Sequence, residues 1–331
     1  MNTTVMTVRG ELPIEKIGFA LMHEHLLSAG PGVAHAYPQL INDGYPSRTG
    51  IGYENRILRM LYAASEVGVE TILDVTPFDL GRDARMLKWM SEQSGINIIA
   101  ATGWYKEQKP VVACLAKYTP ERFAEIFIDD LVRGMEGTDI RAGVIKTACE
   151  PDGMTDQRRV IHLACAIAAK ETGAPVVLHQ DFGARTAYDQ IKIMRDEGVD
   201  MNRVKVDHVL DGEDDAYVSW IVDQGVWIGA DRLPTWRIPG LLSNEARIKA
   251  LKHLIDLGFG NRILLGHDSA CISMGADAFE PDENGLNGAA NPYGLCALKQ
   301  YTIPKLLDLG VDADVIHKIV YENPKEFFRG R

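Results

Sequence analysis

The stretch AGVIKTACEPDGMTDQRRVIHLACAIAAKETGAPVVLHQ (142–180) holds one complete unit of the fold. It opens on the apolar run Ala142–Thr147, crosses a helical pattern over Asp156–Thr172 that stops at Gly173, and returns to a second apolar run, Pro175–His179. Both runs are too apolar for half-exposed strands, as expected of parallel strands covered on both faces. Glycine just past the last helical residue is a preferred helix stop. Outward from this unit the alternation continues. Upstream lie the runs Leu21–His25, Thr71–Val75 and Asn97–Thr102, and downstream Val204–His208, Val226–Asp231 and Arg262–Asp268. Helical patterns Asn55–Val67, Pro120–Met135, Thr186–Glu197, Asp214–Asp223 and Asn244–Leu257 fall between most of them, and two more, near Ala297–Leu309 and Ala313–Tyr321, close the chain. Eight strand signals alternating with helices over about 250 residues predict an α/β protein with a (β/α)8 TIM barrel rather than two doubly wound domains. Met6–Arg9 and Leu12–Ile17 flank Gly10 and read as a short N-terminal β-hairpin.

The length of 331 residues is nominally two domains of roughly 150, yet α/β barrels often run this long as one. With no linker, composition shift, internal repeat or low-complexity stretch, residues 1–331 are expected to be a single domain. A hydrophobic share of 46% and a charged share of 24% exclude disordered and fibrous classes. The net charge of −11, without a Lys/Arg-rich run, argues against nucleic-acid binding, which depends on clustered cations. Cys114, Cys149, Cys165, Cys271 and Cys296 are an odd number without CxxC spacing, so reduced thiols are expected. No apolar run approaches the ~18 residues of a membrane span. A cytoplasmic, membrane-independent protein is the expectation.

In such a barrel the chemistry sits at the C-terminal ends of the strands. Those ends carry His23-Glu24-His25, Lys146, His179, His208 and His267-Asp268. His23 and His25, two apart on a strand, share a face, and Glu24 takes the other. His267 and Asp268 must point oppositely, and Asp268 is the expected inward residue. Imidazoles and a carboxylate suit zinc or a similar divalent ion. Four histidines and an aspartate exceed the three protein ligands of a mononuclear catalytic zinc site, so two metals sharing a bridging group fit better. Lys146 as an ammonium would be repelled by two dications, whereas as a carbamate it would be an anionic bridge. Without the histidines it would read as a Schiff-base lysine.

The stretches TVRGELPIEKIGFALMHEHLL (7–27), IIAATGWY (98–105), AGVIKTA (142–148), VVLHQ (176–180), VDHVLDG (206–212), IGADR (228–232), ILLGHD (263–268) and ENPKEFF (322–328) together resemble the phosphotriesterase family of the amidohydrolase superfamily, in particular its phosphotriesterase-like lactonase branch. The resemblance implies that His23 and His25 hold the more buried ion with Asp268, that N6-carboxylated Lys146 bridges both ions, and that His179 and His208 hold the more exposed one. It further implies that Tyr105 lies over a bridging hydroxide, that Arg232 lines the substrate pocket, and that the protein is a homodimer. Asp211, three residues beyond His208, matches a position able to relay a proton. Two departures stand out. Asp207 occupies a position that is commonly glycine in relatives, and the expected loop Ser269–Asn291 carries Asp277, Glu280, Asp282 and Glu283 where lactonases are more apolar.

The expected activity is therefore that of a metal-dependent hydrolase with a binuclear centre, zinc or else cobalt, manganese or iron. It would open lactones by a metal-bridging hydroxide, with Asp268 as proton shuttle. A phosphotriester of the aryldialkylphosphatase type and a phosphorylated lactone are the alternative substrates. Lys106, Lys109, Arg232 and Arg237 are the obvious cations for the latter. A barrel that binds without chemistry is the reading of a different class, disfavoured because all six metal positions hold ligand-competent residues. His162, His253 and His317 sit in helical patterns and are expected to pack or face solvent. His35 and Trp236, in loops, are candidate substrate contacts. Trp104 is expected to cap the core.

Overall fold

The computed structural model describes residues 2–36, 53–105, 115, 117–234, 242–273 and 291–330. Strands β1 (Thr4–Thr7) and β2 (Gly10–Pro13) pair antiparallel as the expected hairpin, each a few residues earlier than the apolar pattern suggested. A parallel sheet then runs in chain order through β3 (Ala20–Ser28), β4 (Thr71–Asp74), β5 (Asn97–Trp104), β6 (Val144–Ala148), β7 (Val176–His179), β8 (Val204–Val206), β9 (Trp227–Ala230) and β10 (Ile263–Leu265). β11 (Ser269–Ser273) closes the ring by pairing parallel with β3. Barrel position eight is thus shared: β10 pairs with β9, β11 pairs with β3, and Gly266-His267-Asp268 joins them. A Cβ at Gly266 would stand 2.7 Å from the backbone nitrogen of His23, so only glycine lets the seam close here. Ser269, expected to begin a loop, instead begins this closing strand. The acidic residues 277–283 of the expected loop lie outside the described residues.

Helices cover the outside at Tyr53–Glu66, Ala84–Ser94, Pro120–Val132, Asp156–Thr172, Ala187–Asp196, Asp215–Asp223 and Asn244–Asp256. Ala84–Ser94 was not expected from the sequence. Its start is capped by Asp83, whose carboxylate accepts from the Met86 amide at 2.9 Å, and Gly95 ends it with φ of 77°. Near the C-terminus, each of the two expected helices contains a π-helical segment, Leu298–Thr302 and Lys318–Glu322, and a further helix, Asn323–Arg329, follows. Among the described residues no helix is long and apolar enough to cross a membrane. Cys149, Cys165, Cys271 and Cys296 are free and buried, and Cys114 lies outside the described residues.

The core has two parts. Between sheet and helices lie residues such as Leu21, Ile72, Ile98, Ile145, Leu178 and Ile228. Inside the ring lie Ala20, Met22, Leu73, Val75, Ile99, Ala101, Val144, Val177 and Leu264, with Val5, Ile14, Ile17, Phe327 and Phe328 closing the N-terminal mouth. The hairpin and the last helix therefore act as a floor. That leaves the C-terminal mouth for polar groups.

Candidate metal centre

The first strand sets the geometry. Ala20 and Met22 face the interior, so strict alternation would turn His23 outward. The pairing of β3 with β4 instead shifts between Leu21 and Glu24, and this bulge brings both His23 and His25 inward. Their Nε2 atoms lie 3.3 and 3.5 Å from the same oxygen, Oδ1 of Asp268. The His25 ring is held from behind by Thr76, whose Oγ1 is 2.8 Å from its Nδ1. Glu24 faces the other way and binds His267: its Oε1 is 2.8 Å from both the amide and Nδ1 of His267. The Nε2 of His267 accepts from the Leu298 amide at 3.0 Å. His267 is thus a seam residue, and Asp268 is the inward member of the pair. The latter is presented at a left-handed turn, φ 50°, with its amide donating to the His23 carbonyl at 2.9 Å.

On the opposite wall His208 also sits at positive φ, 63°. Its Nδ1 lies 2.6 Å from Asp231 Oδ1, which leaves Nε2 turned to His179 Nδ1 at 2.6 Å. The His179 and His208 rings meet edge to face at 4.3 Å, and the His23 and His208 rings lie tilted to each other at 5.3 Å. Tyr105, whose amide donates to Asp79 Oδ1 at 2.9 Å, brings its hydroxyl to 3.1 Å from His179 Nδ1. Lys146 is completely buried on β6, with Nζ 2.7 Å from Asp207 Oδ2. All six residues expected as ligands therefore line the same mouth, and Tyr105 joins them.

Arg232, expected to line the substrate pocket, pairs with two acids at the mouth. Its Nε donates to Asp268 Oδ2 at 2.8 Å and its Nη1 pairs with Asp211. Arg247 secures the arrangement, donating to Asp211 Oδ1 at 3.0 Å and to the Arg232 carbonyl at 2.8 Å. An arginine keeps its proton, so the relay expected from Asp268 to Asp211 cannot run through the guanidinium standing between them. His35, Lys106, Lys109, Trp236 and Arg237 fall where side chains lie outside the described residues. His162 is buried, His253 pairs with Asp215 at 2.8 Å, His317 stacks on Tyr321 at 4.6 Å, and Trp104 packs against Phe78 and Phe123.

Beneath the mouth lie two more charged residues, Asp207, noted in the sequence only as a departure from the family pattern, and Lys205, not singled out there. Lys205 and Asp207, two apart on the β8 line, both point into the ring and are completely buried. Asp207 Oδ1 lies 2.8 Å from Lys205 Nζ, which also donates to the Met22 carbonyl at 2.5 Å. Asp207 Oδ2 lies 3.0 Å from His23 Nδ1, and Asp231 Oδ2 lies 3.3 Å from it. Charged residues at a two-residue period inside an otherwise apolar strand were the available signal.

The electrostatics follow from these contacts. Burial works to lower the pKa of His23, but Asp207, with Asp268 and Asp231, outweighs it and raises the group to about 10. Burial, then His208 and Lys146, push His179 well below its usual value. Asp268 is held well below the ordinary carboxylate range: burial opposes ionisation, but His23 and Arg232 overcome it. Burial lowers Lys146 despite Asp207. Tyr105 is raised well above 10 by burial and then by Asp268, so it remains a hydroxyl donor.

This donor set fits divalent ions. Ligand atoms of His23, His208 and Asp268 lie within 4.8 Å of one another. The Nε2 atoms of His23 and His25 both face Asp268 Oδ1, and two imidazole nitrogens face each other across the His179–His208 contact. Such an arrangement leaves ring nitrogens available to a cation.

A model of the phosphotriesterase family matches residues 3–328. The chain is 33% identical over 312 residues to an aryldialkylphosphatase of Saccharolobus solfataricus, covering 94% of this chain and 95% of that protein. It is 28% identical to a phosphotriesterase homology protein of Mycobacterium tuberculosis, covering 97% and 96% of the two chains. An N-acetyltaurine hydrolase of Rattus norvegicus is 25% identical, covering 99% and 98%.

Proposed function

Because this chain belongs to the phosphotriesterase family and is a metal-dependent hydrolase, we propose that it opens lactones, with His23, His25, Lys146, His179, His208 and Asp268 holding two divalent ions. Zinc is the expected metal, and Lys146 is expected to be N6-carboxylated. The observation that carries the ligand assignment is the convergence of both Nε2 atoms of the HxH pair on one oxygen of Asp268. When bound, such a pair of ions supplies a water ionised near neutral pH and an electrophilic contact for the substrate oxygen.

The chain's own residues divide the remaining work. Asp268 presents Oδ1 to the imidazoles, and its Oδ2, turned to Arg232, takes the proton of the attacking water. Arg232 keeps that acceptor ionised at rest, and its own proton stays in place. The proton therefore leaves Asp268 to solvent rather than through Asp211. Tyr105, protonated and 3.1 Å from His179, donates to the alkoxide that departs when the ring opens.

The phosphotriester reading keeps the same site and is favoured by the aryldialkylphosphatase among the relatives. The deciding experiment measures kcat/KM on a lactone panel, an aryl dialkyl phosphotriester and an N-acylated amino sulfonate, with metal content determined on the same sample. Highest kcat/KM on a lactone supports the proposal, and a preference for the phosphotriester or the amide reassigns the substrate. A chain loaded with two ions but inert toward all three would end it.

A further inference from the structure

Asp207 stands where its carboxylate reaches three other buried groups at once. Oδ2 lies 2.7 Å from Lys146 Nζ and 3.0 Å from His23 Nδ1, and Oδ1 lies 2.8 Å from Lys205 Nζ. All four side chains are at most 2% exposed. The room for this carboxylate comes from the neighbouring strand. A Cβ at Gly229 would stand 2.5 Å from Asp207 Oδ1 and 3.0 Å from its Cα, so any other residue at 229 would displace it. The backbone of Asp207 is fixed as well. Its amide donates to the Leu178 carbonyl at 2.9 Å, and its carbonyl accepts from Gln180 Nε2 at 3.0 Å.

We propose that Asp207 is a positioning residue for the metal centre, orienting from below both the bridging lysine, Lys146, and the His23 imidazole. The inference rests on the reading of His23 and Lys146 as ligands. Toward His23 it is the carboxylate behind a ligating imidazole: holding Nδ1–H fixes the tautomer and turns Nε2 toward Asp268. Toward Lys146 the contact survives modification. When a neutral amine adds CO2, one N–C bond forms, one proton leaves, and one N–H remains on Nζ. That N–H keeps donating to Asp207 Oδ2 and fixes the plane of the carbamate. Lys205 completes the device, because it balances Asp207 and keeps two anions from facing each other without a cation. The Lys205 ammonium, 2.8 Å from Asp207 Oδ1, argues against Asp207 being a ligand itself, although Asp207 lies close to His23 and Asp231.

The test compares the wild-type chain with Asp207→Asn, with the charge-balanced pair Asp207→Asn/Lys205→Met, and with Gly229→Ala, which displaces the carboxylate without deleting it. Each is titrated with cobalt(II) against a chromogenic chelator, and each is equilibrated with 13C-bicarbonate so that the carbamate carbon can be read by NMR. The wild type is expected to take two ions per chain. The variants should bind cobalt about 10–100-fold more weakly, the cost typical of removing a group behind a metal ligand, with a diminished carbamate signal. A purely structural role would lower the melting temperature and leave cobalt affinity per folded chain untouched, which would overturn the proposal. Three ions in the wild type, falling to two in Asp207→Asn, would overturn it too, by making Asp207 a ligand. Where Asp207→Asn fails to fold, the double variant or Gly229→Ala carries the comparison. A wild-type chain that takes up no pair of ions brings down the ligand reading and this inference together. Two ions in the wild type with unchanged affinity in folded Asp207→Asn brings down this inference alone.

Discussion

The two mouths of the barrel are built from the same eight strand positions and yet have opposite chemistry. The N-terminal mouth is sealed by Val5, Ile14, Ile17, Phe327 and Phe328 around Trp227, an apolar floor supplied by the hairpin and the last helix. The C-terminal mouth buries His23, His25, Lys146, His179, Lys205, Asp207, His208 and Asp231 at no more than 9% exposure each. Apolar packing is stabilising outright, whereas buried charge is tolerated only when each group has its partner. The floor therefore supplies stability, and the charged layer holds a geometry that packing alone would not choose. Changes at one end should register as altered turnover and at the other as altered melting.

The largest expected effect is at the charged end. Asp268→Asn should lower kcat about 10²–10⁴-fold, the usual worth of a positioned proton acceptor, while metal content stays at the wild-type value. Unchanged steady-state kinetics would remove Asp268 from proton transfer. At the floor, Phe327→Ala should cost about 3–5 kcal/mol of stability in urea titrations and leave kcat/KM of the folded fraction unchanged. A loss of turnover without a loss of stability there would erase the division between the two ends.

A third prediction concerns the wall that joins them. His162 is completely buried on the helix Asp156–Thr172, its Nδ1 2.7 Å from the Arg158 carbonyl and its Nε2 3.0 Å from Gln190 Nε2, which also donates to the His179 carbonyl at 3.0 Å. Burial lowers the His162 pKa from 6.5 to about 4. The unfolded chain binds this proton first, so the stabilisation is complete above pH 6.5 and is lost as pH falls toward 4. At about 1.4 kcal/mol per pH unit the loss approaches about 3 kcal/mol. Urea titrations of wild type and His162→Gln over that window should show a steeper acid decline in the wild type, and parallel curves would refute the assignment. The smallest effect is on the outer layer. Ser243 Oγ accepts from the Ala246 amide at 3.2 Å, and Ser243→Ala should cost about 1 kcal/mol in thermal melts, with no change at either mouth.

Much of this architecture was legible in the sequence, because parallel strands and their glycine-stopped helices carry strong one-dimensional patterns. The strand ends were legible for the same reason, and with them the six candidate ligands. What escaped notice depends on register between distant segments. The bulge that turns His23 inward is a property of how β3 meets β4, and nothing in ALMHEHLLS marks it. The division of the eighth position into β10 and β11 is settled by which neighbour each half meets. Arg232 followed Asp231 plainly in the sequence, but its bridging of Asp268 and Asp211 requires side chains 36 and 21 positions apart to converge. Asp207 was visible as a departure from its relatives. Its meaning needed Gly229, a residue whose contribution is the absence of an atom.

The placement of Asp268 at the seam between β10 and β11 has a consequence for how the protein comes to life. Its amide is tied to the His23 carbonyl, and the strand that follows lies against the first one. The acid and the HxH pair, 243 positions apart at Glu24 and His267, are brought into register by the same docking event that joins the two ends of the sheet. A ribosome-bound chain that has released the histidines but not yet this last segment holds imidazoles without their counter-acid. The acid therefore stands opposite its histidines only where the cylinder is closed.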